Sequence, residues 1–194
     1  MVRRRKHKTI KHFHEPGDLH ELTFSCYRRM PLLTNDAWRG MLSYSLNQAL
    51  VRWRFQLHAF VFMPEQVHLL VSPSEIQCPI AKFLKAIKRP YSFRIKLLLQ
   101  QARSPLLTRL TVQERPGVTS FRYWQEGPGY DRNLNSKPAI LASLDYIHRN
   151  PVKRGLCELA NEWKWSSARF YASDGVEIDS DLPLITRLPA EMFY

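Results

Sequence analysis

Cysteine is scarce in this sequence, long apolar runs are missing, and acidic side chains are heavily outnumbered. The three cysteines, Cys26, Cys78 and Cys157, are odd in number and widely spaced. That argues against a disulfide framework and a CxxC zinc site, and points to reduced thiols in a cytosolic chain. No apolar run approaches the roughly 18 residues that span a bilayer. The start MVRRRKHKTIKH lacks the apolar stretch that follows a signal peptide's charged residues. Neither membrane insertion nor secretion is expected, and the cytoplasm is the expected location. No internal repeat is evident, and no glycine-aromatic run of the RGFGFV kind supports an RNA-recognition module. With 17 acidic residues against 29 Lys and Arg, the formal charge is +12. Such an excess favours polyanionic partners, nucleic acid first among them.

What is present suits one core of ordinary size: 194 residues, of which 44% are hydrophobic. Residues 1–18 carry Arg3, Arg4, Arg5, Lys6, Lys8 and Lys11 with almost nothing apolar, and are predicted to form a mobile basic tail. The folded domain is expected over 19–172 and a C-terminal tail over 173–194. LHELTFSCYR (19–28) reads as a strand with one face buried. A helix capped by Thr34 or Asn35 follows to about Trp53. FQLHAFVFM (55–63) and VHLLVS (67–72), joined at Pro64, read as a β-hairpin. Residues 78–103 have a basic helical pattern that Pro90 should kink or split. Residues 104–129 read as loop around one strand-like run, SFRYWQ. PAILASLDYIHRN (138–150) is a short helix expected to stop before Pro151. This order predicts an α+β fold, a ferredoxin-like antiparallel sheet with its helices packed on one face. Many functions share that topology, so the site has to decide.

Gln66 and His68 stand two apart on a predicted strand, so both side chains lie on one face, close enough to share an ion. An amide oxygen and an imidazole nitrogen are both acceptable ligands for a divalent metal, the amide being the weaker. Tyr146 and Asn150 are four apart on the last helix and share a face. A phenol with a reference pKa of about 10 is a poor nucleophile at neutral pH and needs a cation at its electrophile or at the phenolate. By spacing alone, Tyr146 also fits a core-packing tyrosine ahead of a helix stop. Tyr130, in the glycine-rich loop segment GYDRNL, is a rival nucleophile without an amide partner.

Residues 19–30, HAFVFMPEQVHLLV (58–71), YIHRNPVKRGL (146–156) and WKWSSARFY (163–171) together resemble the single-tyrosine HUH transposases, specifically their palindrome-associated branch. In that family the hairpin reads MPNHVHLL or MPEHVHLL, and its two histidines bind a catalytic divalent ion. Here the motif is Gln66-Val67-His68, so the departure falls on a ligand. The resemblance implies Tyr146 as nucleophile, Mg²⁺ or Mn²⁺ as cofactor, and His68, Gln66 and Asn150 as candidate metal ligands. It further implies cleavage and rejoining of single-stranded DNA beside a hairpin through a 5′-phosphotyrosine intermediate and a free 3′-hydroxyl. The alternative is a hairpin-binding protein of the same descent that no longer cuts.

For contact with single-stranded or hairpin DNA, Lys82, Lys85, Lys88 and Arg89 on the basic helix are the first candidates, with Arg122, Arg132, Arg149, Lys153 and Arg154 nearer the expected site. Tyr123 and Trp124 are candidates for stacking on unpaired bases, whereas Trp163 and Trp165 suit packing. Monomer and homodimer both fit the sequence.

Overall fold

Alternation of side chains along four strands builds two different faces on one sheet. In chain order the elements are β1 (Leu19–Ser25), α1 (Asp36–Trp53), β2 (Phe55–Phe62), β3 (Gln66–Pro73), α2 (Ile80–Gln101), α3 (Pro105–Leu110), β4 (Thr111–Arg115), β5 (Val118–Phe121), β6 (Tyr130–Leu134), α4 (Lys137–Lys153) and α5 (Ala168–Ala172). The computed structural model describes residues 19–75, 79–127, 129–177 and 179–193. The basic tail expected at 1–18 and Cys78 lie outside the described residues. The main sheet runs β2-β3-β1-β6 with every pairing antiparallel, the expected ferredoxin-like arrangement. Among the described residues, no helix is long and apolar enough to cross a membrane.

Leu22 and Phe24 of β1 and Val67, Leu69 and Val71 of β3 point into a core with Leu42 and Leu46 of α1 and Phe83 and Ile87 of α2. The intervening positions face the other way, where Ala59, Val61, Leu70 and Leu134 meet Ile140, Leu144 and Ile147 of α4. Helices thus lie on both faces rather than on one: α1 and α2 share a layer, and α4 forms the opposite one. The reason is visible in β3, whose eight residues are all buried, because a strand covered on both sides needs a layer on each. In β2 a bulge between Leu57 and Ala59 inserts His58 into the register, so the core-facing positions shift from Phe55 and Leu57 to Phe60 and Phe62 while still facing α1 and α2. His58 is held there by hydrogen bonds to Ser72 Oγ at 2.8 Å and the Thr186 carbonyl at 2.9 Å.

Local signals explain most element ends. Asn35 caps α1 by accepting from the Trp38 amide at 3.1 Å. α2 runs unbroken through Pro90 rather than splitting. α4 continues past the expected stop, with Pro151 in its last turns, where the missing N–H costs a single helical hydrogen bond. The stretch 104–129, expected to be mostly loop, contains α3, capped by Ser104, and the β4–β5 hairpin. GYDRNL, expected to be a loop, supplies the edge strand β6. At the opposite edge, β2 is covered by residues 165–167 and 186, with Phe62 N donating to Trp165 O at 2.8 Å and Thr186 N to Leu57 O at 2.7 Å. Part of the segment expected as a C-terminal tail is therefore docked, and Leu188 is buried.

Gly129 makes β6 possible. Its φ is +81°, and a Cβ there would sit 2.4 Å from the Thr23 carbonyl oxygen, so only glycine lets the chain close onto β1. Gly129→Ala is expected to lower unfolding free energy by about 1–3 kcal/mol. Urea unfolding measures the loss, and faster amide exchange confined to β6 would locate it.

Candidate active site

The β1–β3 register sets Thr23 opposite His68 and Ser25 opposite Gln66. With a period of two, Glu21 and Thr23 of β1 and Gln66 and His68 of β3 share the face that α4 covers. The β1–β6 register adds Tyr130 opposite Thr23 and Arg132 opposite Glu21. From α4, Ser143, Tyr146, Asn150 and Lys153 project to the same side, as helical spacings of three and four require. Together with Arg29 and Arg154 they line an open cleft of about 690 Å³.

His68 is fixed from both sides. Its Nδ1 lies 2.9 Å from Thr23 Oγ1 and its Nε2 lies 3.4 Å from Asn150 Nδ2. An amide nitrogen only donates, so Nε2 accepts, and the ring proton sits on Nδ1 and is donated to Thr23. Burial, reinforced by the Arg29 charge, pushes the His68 pKa down to about 4, keeping the imidazole neutral. The Tyr146 ring stands edge-on to it, with centroids 5.4 Å apart. Lys153 Nζ lies 5.4 Å from the centroid of the Tyr146 ring, within range of a cation–π contact.

Gln66 behaves differently from His68. It is buried, and its Oε1 accepts from Arg29 Nη2 at 3.1 Å. Next to it, Glu65 accepts from Arg154 Nη2 at 2.6 Å. Among the described residues, no group of three or more His, Cys, Asp or Glu is arranged to hold a metal ion. The expected ligand set of Gln66, His68 and Asn150 does not fit Mg²⁺ or Mn²⁺: the Gln66 oxygen is turned to a permanent cation, and Asn150 presents its NH₂ to the imidazole. A divalent ion bound through the Gln66 oxygen would sit against the Arg29 guanidinium, an unfavourable place for a second cation.

Residues 18–115 match a family model described as Transposase IS200 like. The chain belongs to the IS200-like transposase family. A homologue from Haemophilus influenzae that carries the name REP-associated tyrosine transposase is 27% identical over 120 residues, 62% of this chain and 62% of its own length. The chain thus aligns with less than two thirds of that relative. A solved structure of a REP-associated tyrosine transposase bound to a REP hairpin superposes with a TM-score of 0.64 at 18% identity, covering 93% of this chain and 99% of that one, which shows a shared fold. The family match includes Gln66 and His68 but ends before α4, so the placement of Tyr146 rests on geometry.

The remaining sequence candidates separate into groups. Arg132, Lys153 and Arg154 line the cleft. Lys82, Lys85 and Arg89 line a second groove of about 770 Å³ with Arg52 and Trp53, formed by α1 and α2 across the sheet from Tyr146. Lys88 instead lies over Phe24 at 4.8 Å, and burial lowers its pKa to about 8. Arg122 is tied to Glu126 at 2.7 Å and Glu114 at 3.0 Å, and Arg149 lies 3.9 Å from Asp145. Tyr123 and Trp124 are buried, which corrects their reading as base-stacking residues: Tyr123 hydrogen-bonds the Leu32 carbonyl and Trp124 that of Lys88. Trp165 packs on Phe62, as expected. Tyr130 lies in the cleft, half exposed, without the imidazole contact that Tyr146 has. Glu21, Thr23, Arg29 and Ser143 were missed. The i, i+2 parity of Glu21 and Thr23 with the His68 face was a usable signal for two of them.

His148, hydrogen-bonded to Ser167 Oγ at 2.8 Å, is also pushed down to about 4 by burial, against the opposing pull of Asp145. Both folded values lie below the 6.5 of a free imidazole, so this stability is complete above pH 6.5 and is lost as pH falls towards 4. Each unit of depression is worth about 1.4 kcal/mol. Urea unfolding at half-unit steps should show that decline, and His148→Gln should flatten it.

Proposed function

We propose that this protein is a DNA strand transferase that cuts and rejoins single-stranded DNA beside a hairpin, using Tyr146 as nucleophile. The observation that carries the reading is the juxtaposition of Tyr146, the fixed neutral His68 and Asn150 in one basic cleft, on a fold of the transposase family. In the forward step Tyr146 Oη attacks the phosphorus and loses its proton to water. The bond from phosphorus to the 3′-oxygen breaks, and that oxygen takes a proton from water. The product is a 5′-phosphotyrosine and a free 3′-hydroxyl. Because one phosphodiester replaces another, the reverse attack rejoins the strand without an external energy source.

Within this reading Lys153, over the Tyr146 ring, steadies the ring by a cation–π contact and adds positive charge to the cleft that would receive the phosphate. Asn150 and Thr23 hold the His68 ring in one orientation. Ser143 Oγ is buried without a hydrogen-bond partner and lines the cleft, an unmet donor that a phosphate oxygen would satisfy. Arg132 and Arg154 would guide the backbone of the strand into the cleft. No step is assigned to a metal.

The α1/α2 groove gives the DNA a second surface. It presents Arg52, Lys82, Lys85 and Arg89 around Trp53, with no acidic residue in its lining. Cations around an aromatic ring suit a nucleic-acid backbone with an unpaired base against the ring. We assign it the DNA that flanks the cleaved segment.

Labelled hairpin DNA with single-stranded flanks, separated on a denaturing gel, tests the chemistry. A covalent protein–DNA band is expected from wild type and from Tyr130→Phe, and its absence is expected from Tyr146→Phe. A band lost only in Tyr130→Phe would transfer the nucleophile to β6. Binding without any band would identify a hairpin-binding protein that does not cut. For the groove, the triple change Lys82→Ala, Lys85→Ala, Arg89→Ala should flatten the plot of log affinity against log salt by about 2–3, since each lost phosphate contact removes roughly 0.7–0.9.

A further inference from the structure

We propose that Arg29, held by Gln66, takes the place of a divalent ion at this site and grips the scissile phosphate. The inference rests on the strand-transfer reading above. It begins with the departure at Gln66. Its amide oxygen is buried and spent on Arg29 Nη2 at 3.1 Å. A guanidinium has five N–H donors in a planar fork. Gln66 occupies Nη2 and steadies the group, and the exposed remainder lines the cleft that contains His68 and Tyr146.

Two features set Arg29 apart from the other cleft cations. Its hydrogen-bonded partner is a neutral amide, so its charge is undiminished, whereas Arg154 is paired with the Glu65 carboxylate at 2.6 Å. Its backbone is also committed to presenting it. Arg28 and Arg29 are both left-handed, with φ of 51° and 53°, a conformation costly for residues with a Cβ. The turn is closed by Arg29 N donating to Cys26 O at 2.9 Å, directly after the end of β1. A guanidinium matches two phosphate oxygens in a way a lysine cannot. Ser143, the unmet donor on the facing helix, supplies a further contact. Gln66 is a positioning residue in this scheme and Arg29 is the phosphate-binding group.

The experiment uses full-length Tyr146→Phe protein, so that binding is read without turnover. A fluorescein-labelled hairpin oligonucleotide with single-stranded flanks is titrated by anisotropy in EDTA and then in Mn²⁺, and Mn²⁺ alone is followed by electron paramagnetic resonance. Affinity for the oligonucleotide is expected to agree within about twofold in the two buffers. Arg29→Asn, whose side chain tolerates the left-handed backbone, should weaken it about tenfold or more, and Arg29→Lys less. Gln66→His should gain Mn²⁺ binding that the Gln66 protein lacks. Mn²⁺ strengthening DNA binding tenfold in the Gln66 protein, or an unchanged affinity in Arg29→Asn, overturns the proposal. The underlying reading fails separately: Arg29-dependent binding in EDTA with no covalent band from the Tyr146 protein leaves the clamp standing and removes the cleavage. A band that forms only with Mn²⁺ does the reverse.

Discussion

The pairing of β1 with β3 is the constraint on which the rest depends. Its register places Thr23 beside His68, and the alternation of side chains then sorts the sheet into an apolar face under α1 and α2 and a chemical face under α4. A slip of one residue would turn His68 into the phenylalanine-rich core and Leu69 into the cleft. That register is held by burial on both sides, and on the other side of β1 the close approach of Gly129 to the Thr23 carbonyl sets the pairing with β6. The same threonine is therefore a backbone neighbour of β6 and the hydrogen-bond partner that orients the imidazole.

The charge of the chain is organised more finely than its total suggests. Some cations are matched one to one with carboxylates, as Arg122 is with Glu114 and Glu126. Others lie over aromatic rings, as Lys88 and Lys153 do. Arg29 alone among the described cleft cations has its side chain hydrogen-bonded to the amide of Gln66. A neutral partner orders a cation without cancelling it, which is what a site built for a polyanion requires.

The hairpin, α1, α2 and the shared face of Gln66 and His68 were legible because each depends on local period and turn chemistry. β6 was not: Gly129 reads as a loop residue until the carbonyl of Thr23, more than a hundred positions away, explains why a Cβ is forbidden there. The end of α4 was misplaced because proline was given its effect in a helix interior, whereas Pro151 lies close to the helix end and sacrifices little. Helices on both faces were not legible, because Gln66, His68 and Ser72 alternate with Val67, Leu69 and Val71 and read as a side open to solvent, whereas all of β3 is buried. Tyr123 and Trp124 carried no signal of their burial, since aromatic side chains suit both a core and a stacking surface. Arg29 was invisible for another reason. Its role depends on a left-handed turn and on the partner it finds, and neither leaves a trace in spacing.

The bulge at His58 gives β2 two reading frames. Before it, odd-numbered side chains enter the aromatic core; after it, even-numbered ones do, and the odd positions Ala59, Val61 and Met63 become the floor beneath α4. One extra residue thus lets a single strand serve two layers whose demands are out of phase. A homologous chain that lacks this insertion must either exchange its large and small side chains along the second half of the strand or give up one of the two layers, so the residue count between Phe55 and the QVH motif is itself a structural character.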